Sequence, residues 1–587
     1  MNIKLNNLRD AMLKNGIDVY LMFSTDYHLS EYVPEDFMQI KHLTGFSGDN
    51  AVVVVSQEDA VLFTDSRYEI SSKVELLNSD FQLCISDKLR KKDYLNYLKS
   101  FKPFSVLAYD SRHISLSSAL NIKRKLDDLK FIIKDKTDLI ASFWPHRPAP
   151  VLGKTFALDE IFTGQSAELK IADAVNYLNR KNVDALIVTQ LDEIAWLLNI
   201  RGGDIACNPV FRAFLIVFAS GKLSLFVHLH RPDIEVFESL KHSGISICDY
   251  DGFFDYLSDL PSAIKVEFDF SKTCAAVKSF LNPDCIIVDS NSVISQTKTC
   301  KNQVELNNIR QTMIVDGVAL EKFFYRLEKS VSEKRFITET AAAKLLLELR
   351  REGKNFIGES FDCISAYNAH GAMPHFVCDV NNDLLIKPDG VYLVDSGGQY
   401  LSGTTDITRV IPFGNFSEQF AADYTAVLKG MINFSLAVFP DDLPAEKLDT
   451  YAREYLWKIG RDFAHSVSHG VGFCLNVHEY PAGIYNNSKN PLLAGMVISN
   501  EPAVYVENSY GIRIENMIAA GRAEFNNYLK FETLTLCHID MRAVITDLLT
   551  KNEIDFLNRY HSKVYQEISP YLNDEEKQWL LQKTQKI

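Results

Sequence analysis

The run Val394-Asp395-Ser396-Gly397-Gly398-Gln399-Tyr400-Leu401-Ser402-Gly403-Thr404-Thr405-Asp406-Ile407-Thr408-Arg409 restricts the fold more than any other part of the sequence. Asp395 closes the apolar stretch Val391-Tyr392-Leu393-Val394, which reads as a buried strand. Ser396-Gly397-Gly398 breaks that strand, and a second β-prone segment, Thr404 to Ile411, follows. A strand–turn–strand of this length can fold back and bring Asp395 and Asp406 to one place. Two buried acids that meet repel each other unless positive charge lies between them, and a divalent cation supplies it most simply. The plainer alternative is a pair of turn aspartates beside glycine.

A chain of 587 residues is too long for one hydrophobic core and calls for three or four domains. Its net charge of −14 opposes non-specific nucleic-acid binding, which needs a basic face. The N-terminal segment Met1 to Leu13 lacks the apolar centre of a signal peptide, and no run is apolar for long enough to span a bilayer. A cytoplasmic protein without membrane or nucleic-acid partners is expected. The ten cysteines are scattered with no C-x-x-C pair, so neither a thiolate zinc site nor a thioredoxin-type motif is signalled.

Helix and strand patterns alternate in the first part, which marks α/β structure. The segment Asn15-Gly16-Ile17-Asp18-Val19-Tyr20-Leu21-Met22 is echoed by Asn182-Val183-Asp184-Ala185-Leu186-Ile187-Val188, a weak internal repeat that predicts two similar α/β domains in tandem. Arg67, in Asp65-Ser66-Arg67-Tyr68, stands at a strand end where loops carry function; a surface arginine is the plainer reading. Proline-rich Trp144 to Pro150 reads as a linker. The third part opens with amphipathic helices over 304–327 and 338–351, continues with strands, two helices over 418–438 and 445–459 and more strands, and ends in a mostly helical tail. The expected domains are 1–160 (α/β), 161–298 (α/β) and 299–587 (α+β, catalytic).

Further candidate ligands lie in the third part. In His465-Ser466-Val467-Ser468-His469-Gly470-Val471-Gly472 the glycines favour a loop over a helix, and the Glu of H-E-x-x-H is missing, so a zincin site fails. Glu501 follows the apolar run Met496-Val497-Ile498 and precedes Pro502, a good place to face a pocket. In Gly511-Ile512-Arg513-Ile514-Glu515-Asn516, alternation sets Arg513 and Glu515 on one strand face. Asp395, Asp406, Glu501, Glu515 and one histidine form a set rich in hard oxygen donors, which suits Mn²⁺ and similar ions. Four carboxylates over-supply charge for one ion and balance two, and the matching chemistry is two-metal hydrolysis, in which the ions share a hydroxide and polarise the scissile carbonyl.

Read together, D-S-G-G-Q-Y, G-T-T-D-I-T-R, S-H-G-V-G with L-N-V-H-E, S-N-E-P and R-I-E-N resemble, in order, the pita-bread metallopeptidases of the creatinase type. The match is to the three-domain aminopeptidase P branch and covers essentially the whole chain. The resemblance implies two creatinase-N-like α/β domains before a pita-bread catalytic domain with a curved antiparallel sheet. It implies Asp395, Asp406, His469, Glu501 and Glu515 as ligands of two divalent ions, most simply Mn²⁺, with Zn²⁺ or Co²⁺ as alternatives. It further implies Glu501 as general acid/base, His375 and His478 as catalytic and substrate-side histidines, and Arg67, His465 and Arg513 as substrate-site residues. The implied activity is proline-specific exopeptidase cleavage: removal of the N-terminal residue from peptides with proline second, by a homodimer. A prolidase acting on X-Pro dipeptides and a non-catalytic peptide-binding member of the fold are the alternatives. The chain departs from the family at Tyr480, at Pro374 and at Ser66, which bears on pocket shape and substrate range more than on metal binding.

Overall fold

The echo between residues 15–22 and 182–188 is realised as two six-stranded sheets built to one plan. In the structure, a computed structural model, residues 3–86, 92–135, 138–238, 240–241, 244–335, 337–485 and 488–587 are described. The first sheet orders its strands Gln82–Ile85, Ala60–Thr64, Ala51–Ser56, Val19–Phe23, Val106–Tyr109, Ile132–Asp135. The second orders Ile245–Asp249, Leu223–Val227, Ala213–Phe218, Ala185–Val188, Lys265–Phe268, Ile286–Asp289. In both, the three strands led by the echoed segment form an antiparallel meander, and the outer strands join in parallel. One apolar cluster draws Val19, Leu21 and Leu107 from the first sheet and Ala185, Phe214 and Val266 from the second, so the two sheets share a core. Both belong to one compact unit, Met1–Ala157 with Gln165–Ile294; the other unit is Leu158–Gly164 with Ser295–Ile587. Trp144, at the start of the proline-rich stretch, is buried and stacks on His42.

The second unit opens with the helix Gln303–Ser332, whose N-terminus is closed by a reciprocal Asn302/Glu305 capping box. Its Ile309, Met313 and Leu320 are buried, as the apolar period requires. Thr338 caps the next helix, Glu339–Arg351. All sheets here are antiparallel. Gly390–Ser396 lies between Ile364–Tyr367 and Ile407–Phe413. A six-stranded sheet runs Val438–Pro440, Tyr528–Thr533, Asn516–Arg522, Val497–Asn500, Ser468–Gly470, Glu479–Ile484. The helix expected to reach residue 438 stops at Ser435, because Val438–Pro440 pairs with Tyr528–Thr533 instead. The helix expected from 445 begins with a 3₁₀ turn and is α-helical only over Asp449–Trp457. The tail is helical over Lys551–Ile568 and Asp574–Lys583. Among the described residues no helix is long and apolar enough to cross a membrane.

Candidate metal centre

The two aspartates meet because their strands are neighbours in register. Asp395 pairs with Thr408 across Gly390–Ser396 and Ile407–Phe413, and Asp406 immediately precedes the second strand. Between them the chain makes a small excursion whose turn is closed by side chains. Thr404 Oγ1 donates to Gln399 Oε1 (2.8 Å) and accepts Leu475 N–H (3.3 Å), and Gln399 Nε2 donates to Leu475 O (2.7 Å). The same bonds tie down the stretch that carries His478.

His469 enters on the short strand Ser468–Gly470, with Nε2 3.2 Å from Asp406 Oδ2 and 3.4 Å from Glu501 Oε1. Its Nδ1 donates to Gly470 O at 2.9 Å, which turns Nε2 toward the carboxylates. Ser499 accepts His469 N–H (2.9 Å) and donates to Glu501 Oε1 (3.0 Å), locking the two together. Asp406, His469 and Glu515 each offer a ligand atom within 4.8 Å of the others.

Arg513 and Glu515 do not share one continuous strand face, contrary to the alternation argument. Tyr510–Arg513 pairs with Ala503–Val506, whereas Asn516–Arg522 pairs with the neighbouring sheet, so Glu515 sits at the changeover. Both side chains nevertheless converge on Thr408: its Oγ1 donates to Glu515 Oε2 (2.7 Å) and accepts Arg513 Nε–H (3.0 Å). The remaining Arg513 nitrogens donate to Asp395 Oδ2 and to the Tyr505 hydroxyl.

Asp395, Asp406, Glu501 and Glu515 thus surround one place, with the Arg513 guanidinium at its edge. Burial pushes the Asp395 carboxyl up to about 6, opposed by Arg513 and reinforced by Asp406. Burial likewise raises Glu501, with His469 and Arg513 opposing. Glu515 lies well above the usual carboxylate range, through burial and then the charges of Asp406, Glu501 and Asp395. For His469 burial acts downward, but the bond to Asp406 and the charge of Glu501 outweigh it and bring the ring to about 9. Two buried oxygens, Asp395 Oδ1 and Glu515 Oε1, have no hydrogen-bond partner among the described residues. A buried acceptor left without a donor is costly, and a hard cation is the partner that oxygen-rich surroundings fit. The donor set therefore fits divalent metal.

Around this centre, the His478 ring lies 4.3 Å from that of His469, centroid to centroid. The Glu479 carboxylate is buried between the Lys298 (3.0 Å) and Lys301 ammonium groups, which anchors the chain beside His478. His465 donates Nδ1–H to Ser466 O (2.8 Å), its Nε2 meets the Tyr505 hydroxyl (2.9 Å), and Nδ1 lies 3.9 Å from Glu501. Burial, helped by Arg513, lowers it to about 3, so it is neutral. His375 is half-buried in the loop after Asn368–Ala372 and acts electrostatically on His465. Arg67 belongs to the other compact unit, in a 3₁₀ turn where its guanidinium meets Asp65 (2.9 Å) and Asp49 (3.6 Å).

Sequence reading missed Thr408, Ser499 and Tyr505. Period-two spacing held a signal for two of them, since Thr408 follows Asp406 by two positions and Ser499 precedes Glu501 by two. The Lys298–Glu479–Lys301 group has no local signal, because its members are far apart in sequence.

Four carboxylates and one histidine gathered by antiparallel strands fit the class of metal-dependent hydrolases. Residues 307–521 match metallopeptidase family M24, 527–587 its C-terminal region, and 4–140 and 146–305 each match a creatinase/prolidase N-terminal domain. The chain is 34% identical to a probable Xaa-Pro aminopeptidase P of Coprinopsis cinerea, covering 100% of this chain and 98% of that one. It is also 34% identical to Xaa-Pro aminopeptidase 1 of Dictyostelium discoideum, over 97% and 93%. The crystal structure of an X-prolyl aminopeptidase from Caenorhabditis elegans, a cytosolic enzyme with a di-nuclear active site, superposes with a TM-score of 0.95 at 31% identity, covering 100% and 99% of the two chains. The chain belongs to metallopeptidase family M24.

Proposed function

We propose that this protein is a two-metal X-Pro aminopeptidase that releases the N-terminal residue from peptides with proline in second place. The observation that carries the reading is the pair of buried, partnerless carboxylate oxygens on Asp395 and Glu515 within a cluster of acids. Full-length likeness to Xaa-Pro aminopeptidases supports the substrate class.

Asp395, Asp406, His469, Glu501 and Glu515 would hold the ions, which supply charge balance and Lewis-acid activation of the scissile amide. Thr408 fixes Glu515, Ser499 fixes Glu501 against His469, and Arg513 fixes Asp395, so the ligand atoms are set before loading. Glu501, raised by burial, is placed to take a proton and return it to the leaving amine. In this reading His375 and His478 face the substrate side, where an imidazole N–H can donate to a developing oxyanion. His465 stays neutral and lines the site with Tyr505. An X-Pro bond has no N–H, so recognition rests on ring shape and the free amine.

Mn²⁺ as the working ion, a cytoplasmic homodimer in which Arg67 contributes to substrate binding, and domain limits at 160 and 298 complete the proposal. The decisive experiment offers metal-stripped protein, refilled with Mn²⁺, an Arg-Pro-Pro tripeptide and an X-Pro dipeptide. Metal-dependent release of the first residue of the tripeptide is expected. Preference for the dipeptide would make it a prolidase, and no turnover with metal bound would point to a binding role.

A further inference from the structure

We propose that Glu339 and His370 are positioning residues that staple the loop carrying His375 and set its height over the metal centre; this rests on the aminopeptidase reading, in which His375 faces the substrate. Glu339 is the first residue of its helix and is fully buried, at 0% exposure. Its carboxylate binds both ends of one loop. Oε1 accepts Tyr367 N–H at 2.5 Å, where the loop begins, and Oε2 accepts Leu384 N–H at 2.9 Å, where it ends. His370 Nδ1, inside the loop, lies 2.9 and 3.0 Å from the same two oxygens.

Neighbouring bonds weld the loop ends to the helix start. Glu339 N–H donates to Leu384 O (3.0 Å), Ser365 Oγ to Glu339 O (2.7 Å), and Thr340 N–H to Asp383 Oδ1 (3.0 Å). From this anchor the path to His375 is short. The His370 ring stacks on Phe376, centroids 4.3 Å apart and 28° between planes, and Phe376 is buried next to His375 in the chain. On its other side the loop rests on the strand that supplies Arg513: a Cβ on Gly511 would fall 1.7 Å from Gly371 O, so only glycine allows that approach. Beyond Phe376, Val377 and Val380 are exposed. The histidine therefore sits where the pinned half of the loop meets its open half.

The carboxylate suits this job because it has acceptors only. An amide would turn an NH₂ toward a backbone N–H, and aspartate is one methylene short. The test uses the full chain loaded with Mn²⁺, assayed on a proline-second tripeptide together with metal content. Glu339→Gln is expected to lower kcat by about 10-fold to 100-fold, the scale of a misplaced group in an active site, while both ions stay bound. In a His375→Ala background the same change is expected to shift kcat less than about twofold, because the staple acts only through His375. His370→Ala should behave like Glu339→Gln, and His370→Gln, which keeps a donor for the carboxylate but loses the ring that stacks on Phe376, should recover part of the loss; this pair serves if Glu339→Gln does not fold. Wild-type kinetics in Glu339→Gln and His370→Ala, or equal losses with and without His375, would overturn the proposal. A wild-type enzyme that ignores the tripeptide would instead overturn the aminopeptidase reading.

Discussion

Two groups in the second unit bring metal-ligating atoms within 4.8 Å of one another: Asp406, His469 and Glu515, and Glu321, Cys537 and His538. Their hydrogen bonding separates them. Both oxygens of Glu321 are occupied by one residue, Oε1 by His538 N–H and Oε2 by His538 Nδ1, each at 2.7 Å. Burial pushes the Cys537 thiol well up, and a protonated thiol is a poor ligand. Around Asp406 the acids outnumber their donors, and Asp395 Oδ1 and Glu515 Oε1 are left over. Proximity of ligand types does not by itself make a metal site; acidic oxygens left without donors in the same cluster favour one.

The largest effect should break the comparison outright. Glu515→Gln is expected to abolish tight metal binding and to cut tripeptide cleavage on the order of 10⁴-fold or more, as when a group that acts as a unit loses one member. Elemental analysis after desalting, with the peptide assay, reads both. Glu321→Gln makes the same chemical change in the satisfied cluster. It should leave metal content and kcat as they are and cost about 1–3 kcal/mol of stability, since the amide offers one acceptor oxygen where the carboxylate offered two and His538 must change tautomer to meet the other end. Equal metal loss in the two variants would dissolve the distinction.

Thr408→Val sharpens it. The valine keeps the shape but removes the hydroxyl that joins Glu515 to Arg513. A fall in kcat of about tenfold, equivalent to ~1.4 kcal/mol, is expected, with weaker binding of the second ion in a titration.

The smallest effect is in pH dependence, where the two regions have opposite signs. Asp395 is raised from 3.8 to about 6 in the folded chain, so its contribution is full below pH 3.8 and lost as pH rises through about 6. His469, raised from 6.5 to about 9, contributes fully below 6.5 and loses that contribution through about 9. Near the other cluster, burial raises Asp540, but Arg542 and Lys583 outweigh it and hold the carboxyl at about 2, so its contribution is present above 3.8 and lost as pH falls through 2. Metal-free protein should therefore lose Tm between pH 5 and 9, and added Mn²⁺ should raise Tm more at pH 8 than at pH 5.5. A metal-induced gain that is independent of pH would show that the cation does not replace protons at these acids.

The sequence by itself determined the strands around Asp395 and Asp406, the amphipathic helices that begin near residues 304 and 338, and the repeat behind the two α/β sheets, because periodicity and turn residues act locally. It also placed the residues of the candidate centre in a few short motifs, since strand ends deliver side chains to a pocket within a few positions. Tertiary structure alone decided which carboxylate oxygens are left without a donor among the described residues. Asp395 and Glu515 lack partners for one oxygen each, whereas Glu321, Glu339 and Glu479 find theirs in His538, in the loop of His370, and in Lys298 with Lys301. Those partners lie tens to hundreds of positions away in the chain. Donors and acceptors are counted in space, after the chain has folded, and that count has no local trace.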